Sequence, residues 1–141
     1  MDFTVFSIVA KLKTKGYKAT KTRTNLIDIL LKSQYPLAAS DIKTQLAKIG
    51  NLPNKTTVYR ELEFLKSQGV VLEVQLGEDK KRYESAFNKH HHHLVCMRCD
   101  QIEDVVLENE LDRQVSKIAR NKQFQVINHS LEFFGLCNKC Q

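Results

Sequence analysis

The chain has 141 residues, enough for one core or for two small domains of about 80 and 60 residues, the smaller near the lower limit of independent stability. Its 42% hydrophobic content predicts a folded protein, and no apolar run approaches the roughly 20 residues of a membrane span. The net charge of +6 is uneven, because residues 1–82 hold 15 basic and 8 acidic side chains whereas 83–141 hold 7 and 8. The basic first part suggests a polyanionic partner such as nucleic acid, although a merely solvated basic surface has the same composition.

The start of the sequence bears on the compartment. It opens with Asp2, has no basic first segment and shows no small-residue cleavage site, so we expect a cytoplasmic protein. Disulfides are rare there, and the four cysteines are therefore expected to bind a metal or to take part in redox chemistry.

Apolar spacing in the first half predicts four helices. The predicted helices run over about 2–15 ending at Gly16, from a Thr20 cap to before Pro36, from a Ser40 or Asp41 cap to before Gly50, and from about Asn54 to Gly69. The third helix is expected to bury Ile42, Leu46 and Ile49.

The fourth helix has two distinct faces. Val58, Leu62 and Leu65 share one side and are expected to pack, whereas polar residues project from the other side and are free to read DNA. Those residues are Thr56, Tyr59, Arg60 and Glu63.

After this helix the chain predicts a β-hairpin, with strands over 70–76 and 80–85 and a turn at 77–79. Three or four helices followed by a hairpin are typical of a winged helix-turn-helix, assigned here to residues 1–85. Residues 86–141 form the second domain, an α/β dimerisation unit, so the fold class is α+β. Its predicted elements are strands over 90–96, 102–107, 123–129 and 131–136 and a helix over 109–120.

The second domain has a small predicted core, so a zinc ion and a dimer partner are expected to complete it. That core consists of Phe124, Val126, Leu131, Phe133 and Phe134.

Two CxxC motifs contain all four cysteines. Cys96 and Cys99 are followed after 37 residues by Cys137 and Cys140, and each motif offers two thiolates to one tetrahedral ion. This pattern predicts structural zinc. The alternatives are two disulfides, which the compartment disfavours, and a redox CxxC, which the matched pair disfavours.

A run of four histidines precedes the first CxxC motif. Because alternate side chains of a strand face opposite ways, His91 and His93 are expected to serve one metal site and His90 and His92 another. Imidazole and carboxylate ligands suit Zn, Fe(II), Mn, Co or Ni better than Cu(I), although a surface histidine run can also bind nothing. Candidate further ligands are Glu84, Asp104, Asp112 and His129.

The sequence has no nucleophile triad, glycine-rich phosphate loop or HExxH pattern, so we do not expect an enzyme. Three other readings stay open. They are a DNA-binding regulator whose zinc is only structural, a metal store or chaperone, and a zinc hydrolase with an open coordination position.

Taken together, these motifs resemble the ferric uptake regulator family over nearly the whole chain. The matching segments are Gly16-Tyr17-Lys18-Ala19-Thr20 with Arg23, Thr57-Val58-Tyr59-Arg60 with Leu62, Leu65 and Gly69, Arg82-Tyr83-Glu84, the histidine run with Leu94-Val95-Cys96 and Cys99, and His129-Ser130-Leu131 with Gly135, Cys137 and Cys140.

The resemblance implies a homodimer that binds a palindromic DNA operator when loaded with metal and usually represses metal-uptake or stress genes. It implies that the helix with Tyr59 and Arg60 enters the major groove and that Lys18 reaches the minor groove. The DNA-contact set that it suggests is Lys18, Arg23, Thr56, Thr57, Tyr59 and Arg60.

The resemblance also divides the metal ligands. It implies a sensor site formed by Glu84, His91, His93 and Asp104. A second site in the dimerisation domain would consist of His90, His92, Asp112 and His129. The expected ions are structural Zn²⁺ and a second divalent metal, Fe²⁺, Zn²⁺ or Mn²⁺.

One position departs from the family pattern. The family commonly has a histidine just before a residue such as Pro36, and this chain has Tyr35 there. The sensor ion would then have fewer ties to the DNA-binding domain, which leaves domain closure to Glu84.

Overall fold

The computed structural model describes residues 3–76, 81–88, 91–107, 110–127 and 129–141. The chain divides into two compact units, Met1–Asn88 and Lys89–Gln141, a boundary three residues beyond the predicted one. None of the helices in the described ranges is long and apolar enough to cross a membrane.

The first unit contains four helices and a small sheet. The helices are α1 (Val5–Thr14), α2 (Lys21–Lys32), α3 (Ala39–Lys48) and α4 (Lys55–Ser67). Side chains of Thr4, Thr20 and Asn54 cap the first, second and fourth by accepting hydrogen bonds from backbone N–H groups that have no partner within the helix. The caps at Thr20 and Asn54 confirm the predicted starts of α2 and α4.

The third helix differs from its prediction at both ends. It begins at Ala39, and the Asp41 carboxylate accepts a hydrogen bond from the Ala38 N–H at 3.1 Å, so Asp41 serves the helix start from within the first turn. Ile49, predicted to be buried, is 55% exposed because it follows the last helical turn.

Three antiparallel strands complete the winged helix-turn-helix. They are β1 (Leu37–Ala38), β2 (Val71–Gln75) and β3 (Lys81–Ser85), in the order β1-β3-β2. The two longer strands confirm the predicted hairpin, whose turn at 77–79 lies outside the described residues. The two-residue strand β1 was not predicted, because a segment this short carries no periodicity; it pairs Leu37 with Tyr83.

One apolar core joins the helices and the sheet of the first unit. The buried stripe of α4 is the predicted one, Val58, Leu62 and Leu65, each at most 1% exposed. Leu26, Ile42 and Leu46 close around it, and Tyr83 enters from β3. This packing fixes which side of α4 faces outward.

The second unit contains α5 (Glu110–Lys122) and a sheet of β4 (His92–Cys96), β5 (Ile102–Val105) and β6 (Glu132–Gly135). The strand order is β5-β4-β6, with β5 antiparallel and β6 parallel to the central β4. The strand predicted over 123–129 is wrong: the described residues of that stretch, 123–127 and 129, form no strand. Phe124 and Ile127 are 65% and 89% exposed, so these apolar residues have no packing surface within the unit.

Candidate metal centres and nucleic-acid interface

The four cysteines form one cluster. Their sulfur atoms all lie within 4.8 Å of one another, and the Cys99 and Cys137 sulfurs are 3.7 Å apart. A tetrahedral zinc with Zn–S bonds of about 2.3 Å requires sulfurs about 3.8 Å apart, so the arrangement fits this ion. All four thiols are free in this structure, and their mutual spacing fits a single ion better than two disulfide bonds.

Hydrogen bonds to backbone carbonyls, one from a backbone N–H and one from the Arg98 side chain, connect the two cysteine turns to their surroundings. The Met97 N–H donates to the Gly135 carbonyl at 2.8 Å, which joins the first turn to the end of β6. Arg98 donates to the Cys140 carbonyl at 2.6 Å and ties the first motif to the second. Asp100 takes a positive φ of 60°, which turns the chain sharply after Cys99 and into β5.

The cluster separates the acidities of its thiols. N–H groups of Cys137, Cys99 and Arg98 point at the Cys96 sulfur and lower its pKa to about 6. The neighbouring Cys137 thiol and burial raise the pKa of Cys140 to about 12. N–H groups aimed at a sulfur favour its ionised, metal-binding form, so the backbone around Cys96 supports a thiolate there.

A second cluster lies on β4 and β5. The Nε2 atoms of His91 and His93 are 3.9 and 3.8 Å from the same Asp104 oxygen, and the two imidazole centroids are 4.9 Å apart. Strand register explains the arrangement, since His93 lies opposite Asp104 in the antiparallel pair. Three of the four predicted sensor residues therefore come together within the second unit. Glu84 lies half-buried on β3 of the first unit, and its contribution stays a prediction.

The other face of β4 carries a second imidazole pair. The rings of His92 and His129 have centroids 5.4 Å apart, and His92 Nδ1 is 3.1 Å from the Leu131 carbonyl oxygen. His92 is 4% exposed on the central strand, whereas His129 is half-buried. Of the two remaining predicted ligands, Asp112 is exposed in the first turn of α5, and His90 lies outside the described residues.

On the first unit, α4 presents the predicted polar face. Thr56, Tyr59 and Arg60 are exposed, whereas Thr57 is half-buried and donates its N–H to the Asn54 side chain at 2.8 Å. The Lys55 ammonium lies 5.8 Å from the centre of the Tyr59 ring. This face combines hydroxyl, aromatic and cationic groups on a rigid helix, the groups that contact base edges and phosphates.

A carboxylate links the wing to the same helix. Glu73 on β2 accepts a hydrogen bond from the Lys66 ammonium at 2.6 Å and lies 3.7 Å from that of Lys81. The bond from Lys66 lowers the pKa of Glu73. The Lys66–Glu73 pair therefore links β2 to α4 at the surface.

Two further predicted DNA-contact residues, Lys18 and Arg23, lie near the start of α2. Lys18 is exposed in the loop that leads to Thr20. Arg23 is largely enclosed and its side chain bonds to Glu61 of α4, a partner 38 residues away that no local pattern indicates.

Comparison with known proteins places the chain among metal regulators. The sequence profile of the Ferric uptake regulator family matches residues 14–134. The ferric uptake regulation protein of Legionella pneumophila is 30% identical over 132 residues, which cover 93% of this chain and 96% of that protein. The corresponding protein of Helicobacter pylori is 26% identical over 130 residues, covering 92% and 86%.

Solved structures of ferric uptake regulators superimpose on this chain as well. The Helicobacter pylori ferric uptake regulator, described as having three functional metal binding sites, superimposes with a TM-score of 0.84 at 25% identity over 98% of this chain and 94% of that chain. The Vibrio cholerae ferric uptake regulator gives 0.77 at 27% identity over 91% and 98%. With its winged helix, its cysteine cluster and this match over most of its length, the chain belongs to the ferric uptake regulator family.

Proposed function

We propose that this protein is a cytoplasmic, metal-responsive transcription regulator that binds double-stranded DNA more tightly when its sensor site holds a divalent metal. The observation that carries the proposal is the pairing of an outward-facing polar α4 in a winged helix with a histidine and carboxylate cluster in a second unit. Family membership supports the same function.

The DNA interface in this proposal is the exposed face of α4. Tyr59 contacts a base, Thr56, Thr57 and Arg60 contact phosphates or base edges, and Lys18 reaches the minor groove. The net charge of +7 on residues 1–82 supports the assignment, because phosphate neutralisation supplies most of the sequence-independent affinity for DNA.

The second unit, residues 86–141 in the predicted division, takes the metals. Cys96, Cys99, Cys137 and Cys140 hold structural Zn²⁺, whose binding energy becomes folding energy of the unit. Support comes from the small buried apolar content there: Val95 and Cys96 are the buried apolar residues among its described positions.

The sensor is formed by Glu84, His91, His93 and Asp104, and the second site by His90, His92, Asp112 and His129. Imidazole nitrogens and carboxylate oxygens suit Zn²⁺, Fe²⁺ and Mn²⁺. The three functional metal sites of the Helicobacter pylori relative support a count of three. A carboxylate from each unit would join the imidazoles, so that ligation favours one arrangement of the two units.

The coupling between metal and DNA is a linkage. A metal that binds the DNA-competent arrangement more tightly than the open one raises operator affinity by the same factor, and a coupling of about 1–3 kcal/mol is enough for a useful switch. Metal-loaded protein would then repress genes for metal uptake or stress response.

The active form is a homodimer on a palindromic operator. Support comes from the sheet of the second unit, where Leu94 and Phe133 are register partners and are 41% and 40% exposed. An isologous pairing of such a face gives the two-fold symmetry that a palindrome matches.

The test starts from duplexes that the purified wild-type protein enriches from a randomised DNA library. Binding to an enriched duplex is measured at fixed salt under anaerobic conditions, with structural zinc retained and Zn(II), Mn(II) or Fe(II) titrated separately. We expect affinity to rise by about 5- to 150-fold with the physiological metal. His91→Ala should abolish this rise, and Arg60→Ala should weaken binding at every metal concentration.

Leu52→Ala is the control, because this exposed residue belongs neither to the proposed sensor site nor to the exposed face of α4, and it should leave both effects unchanged. Equal affinity with and without added metal would overturn the switch and leave a constitutive DNA binder with structural zinc. A protein that binds several ions but enriches no duplex would instead be a metal store.

A further inference from the structure

Every nitrogen of the Arg23 guanidinium bonds to the protein itself. Nε and Nη2 donate to the two carboxylate oxygens of Glu61 at 2.9 and 3.1 Å, and Nη1 donates to the Lys18 carbonyl at 2.7 Å. The guanidinium carbon also lies 3.9 Å from the centre of the Phe64 ring. This is a bidentate ion pair stacked on an aromatic face, an arrangement that lysine cannot reproduce.

The pair is enclosed, and each of the three guanidinium nitrogens donates a hydrogen bond. The side chains of Arg23 and Glu61 are 13% and 16% exposed. A phosphate contact by Arg23 would require the protein to break the pair and leave Glu61 uncompensated, which is costly in a partly buried position. The residue is thus better suited to hold its neighbours than to contact DNA.

The same side of α4 holds the rest of the loop before α2. The Tyr17 ring meets the Phe64 ring edge-on at 4.8 Å, and Gln68 donates to the Tyr17 hydroxyl at 3.4 Å. Lys15 donates to Gln68 Oε1 at 3.5 Å. The loop from Lys15 to Lys18 therefore contacts Phe64 of α4 and Gln68, the residue that caps its C-terminus, while Arg23 connects the Lys18 carbonyl to Glu61.

These three residues form one stripe. At about 100° per residue, Glu61, Phe64 and Gln68 lie within roughly 60° of one another on α4. The stripe runs between the exposed face with Tyr59 and Arg60 and the buried face with Val58 and Leu62. Contacts to it set where the loop lies beside the exposed face.

We infer that Arg23 is a positioning residue: its pairing with Glu61 holds Lys18 at a fixed place beside the Tyr59 and Arg60 face, so that both grip one DNA duplex together. This inference rests on the proposed DNA-binding function. It replaces the direct DNA contact that the sequence suggested for Arg23.

Glu61 makes the two roles distinguishable. If Arg23 contacts DNA, removing the Glu61 charge frees Arg23 and takes a negative charge away from the interface, so DNA binding strengthens. If the pair positions Lys18, the same substitution releases the loop and binding weakens. The two roles predict opposite signs for a single variant.

The experiment measures fluorescence anisotropy of one wild-type-enriched duplex over a range of salt concentrations. The variants are Arg23→Gln, Arg23→Lys, Glu61→Gln, the Arg23→Gln/Glu61→Gln double variant, Lys18→Ala, and Lys18→Ala combined with Arg23→Gln. Thermal unfolding of each protein, followed by tyrosine fluorescence, defines a temperature at which all are folded.

We expect Arg23→Gln, Arg23→Lys and Glu61→Gln each to weaken binding by about tenfold, and the double variant to be no weaker than either single one. Lys18→Ala should weaken binding in the wild type and add nothing in Arg23→Gln. The plot of log affinity against log salt concentration should also become less steep. Its slope should decrease in magnitude by about 0.9 in Lys18→Ala or Arg23→Gln and by no more in the combined variant. If Arg23→Gln weakened binding only by lowering the stability of the fold, Lys18→Ala would still weaken binding further in that variant.

Stronger or unchanged binding by Glu61→Gln, with Arg23→Lys close to wild type, would overturn the inference and restore the direct contact. Additive effects of Lys18→Ala and Arg23→Gln would overturn it too. If the wild-type protein enriches no duplex, the proposed function itself fails, a result that is distinct from both.

Discussion

At the scale of single residues, Tyr83 combines complete burial with an unused polar group. Its ring is 0% exposed, and its hydroxyl has no hydrogen-bond partner among the described residues. Burial, with the nearby carboxylates, raises its pKa to about 12. The hydroxyl is a cost to folding that the aromatic ring offsets by filling the core between α4 and β3.

Tyr83→Phe is expected to keep the fold and to raise the free energy of unfolding by about 1 kcal/mol at pH 7, since it removes a buried unsatisfied hydroxyl. Because the pKa is higher in the folded state, the wild-type protein should also lose stability as the pH rises from 10 toward 12, and the variant should lose less. Urea unfolding at several pH values measures both effects. A variant destabilised by more than about 1 kcal/mol would mean that the hydroxyl has a partner.

All four tyrosines, at positions 17, 35, 59 and 83, lie in the first unit, and the chain has no tryptophan. Tyrosine fluorescence therefore reports on the winged helix alone. Tyr83→Phe leaves three such probes in place.

Residue chemistry was also the most predictable level of the molecule. Two CxxC motifs specify four thiolates and a histidine run specifies imidazoles, because these side chains carry their ligand chemistry wherever they lie. The residue with which a side chain pairs is much harder to predict from the sequence. Glu61 as the partner of Arg23 depends on how α2 packs on α4, and no spacing along the chain records it.

At the scale of elements, the start of α4 decides how the exposed face is presented. The Asn54 side chain accepts a hydrogen bond from the Thr57 N–H at 2.8 Å, and this cap lies in the same first turn as Thr56 and one turn before Tyr59 and Arg60. The signal was local, since Asn before an apolar helical stripe predicts a cap.

Asn54→Ala is expected to lower the free energy of unfolding of the first unit by about 1 kcal/mol, because the Thr57 N–H loses its acceptor. Asn54→Asp should keep that stability and yet weaken DNA binding, since it adds a carboxylate beside the phosphates. Tyrosine fluorescence in urea and duplex binding measure the two effects. Asn54→Ser is the control that should retain both, and undiminished stability in Asn54→Ala would show that the cap contributes nothing.

Elements of the second unit were harder to predict than those of the first. The alternating apolar residues Phe124 and Val126 lie in the strand predicted over 123–129, yet Phe124 is 65% exposed and the described residues of that stretch form no strand. Alternation of apolar residues shows that a segment could pair as a strand, but whether it does depends on where the chain runs after α5, which no local spacing records. Among the described residues the sheet consists of β5, β4 and β6 in that order, and 123–127 is not one of its strands.

At the scale of the whole molecule, the two units differ in how much they bury. The first has a continuous apolar core, whereas in the described part of the second the buried apolar residues are Val95 and Cys96. A unit with so little core needs a metal or a partner to stay folded.

Removal of zinc by a chelator, or Cys137→Ser, is expected to unfold the second unit and leave the first folded. Amide hydrogen exchange should then show protection lost within 91–141 and retained in α2 and α4. Lys139→Ser, between the two cysteines of the same motif, is the control. Loss of protection in both units at once would contradict the independence of the first core.

Phe133→Glu is expected to convert a dimer into a monomer, because it places a carboxylate on the half-exposed apolar sheet face beside Leu94. Light scattering on a sizing column at about 10 times the wild-type dissociation constant measures the change, where the dimer predominates. Leu52→Glu makes the same kind of change at a residue 80% exposed in the first unit and should leave the mass unaltered. A Phe133→Glu protein that stays dimeric would assign the interface to another surface.

The sequence by itself determined the helices of the first unit, the two faces of α4, the cysteine ligands and the family, because each depends on residues close together in the chain or on side-chain chemistry. The family resemblance also implied that Asp104 joins His91 and His93, and the strand register gives the physical reason. Only the tertiary structure decided that Arg23 pairs with Glu61 and that residues 123–127 form no strand. Those outcomes depend on strand register and helix packing between distant segments. Local patterns state what a segment must bury or bond, whereas the topology decides which segment meets that need.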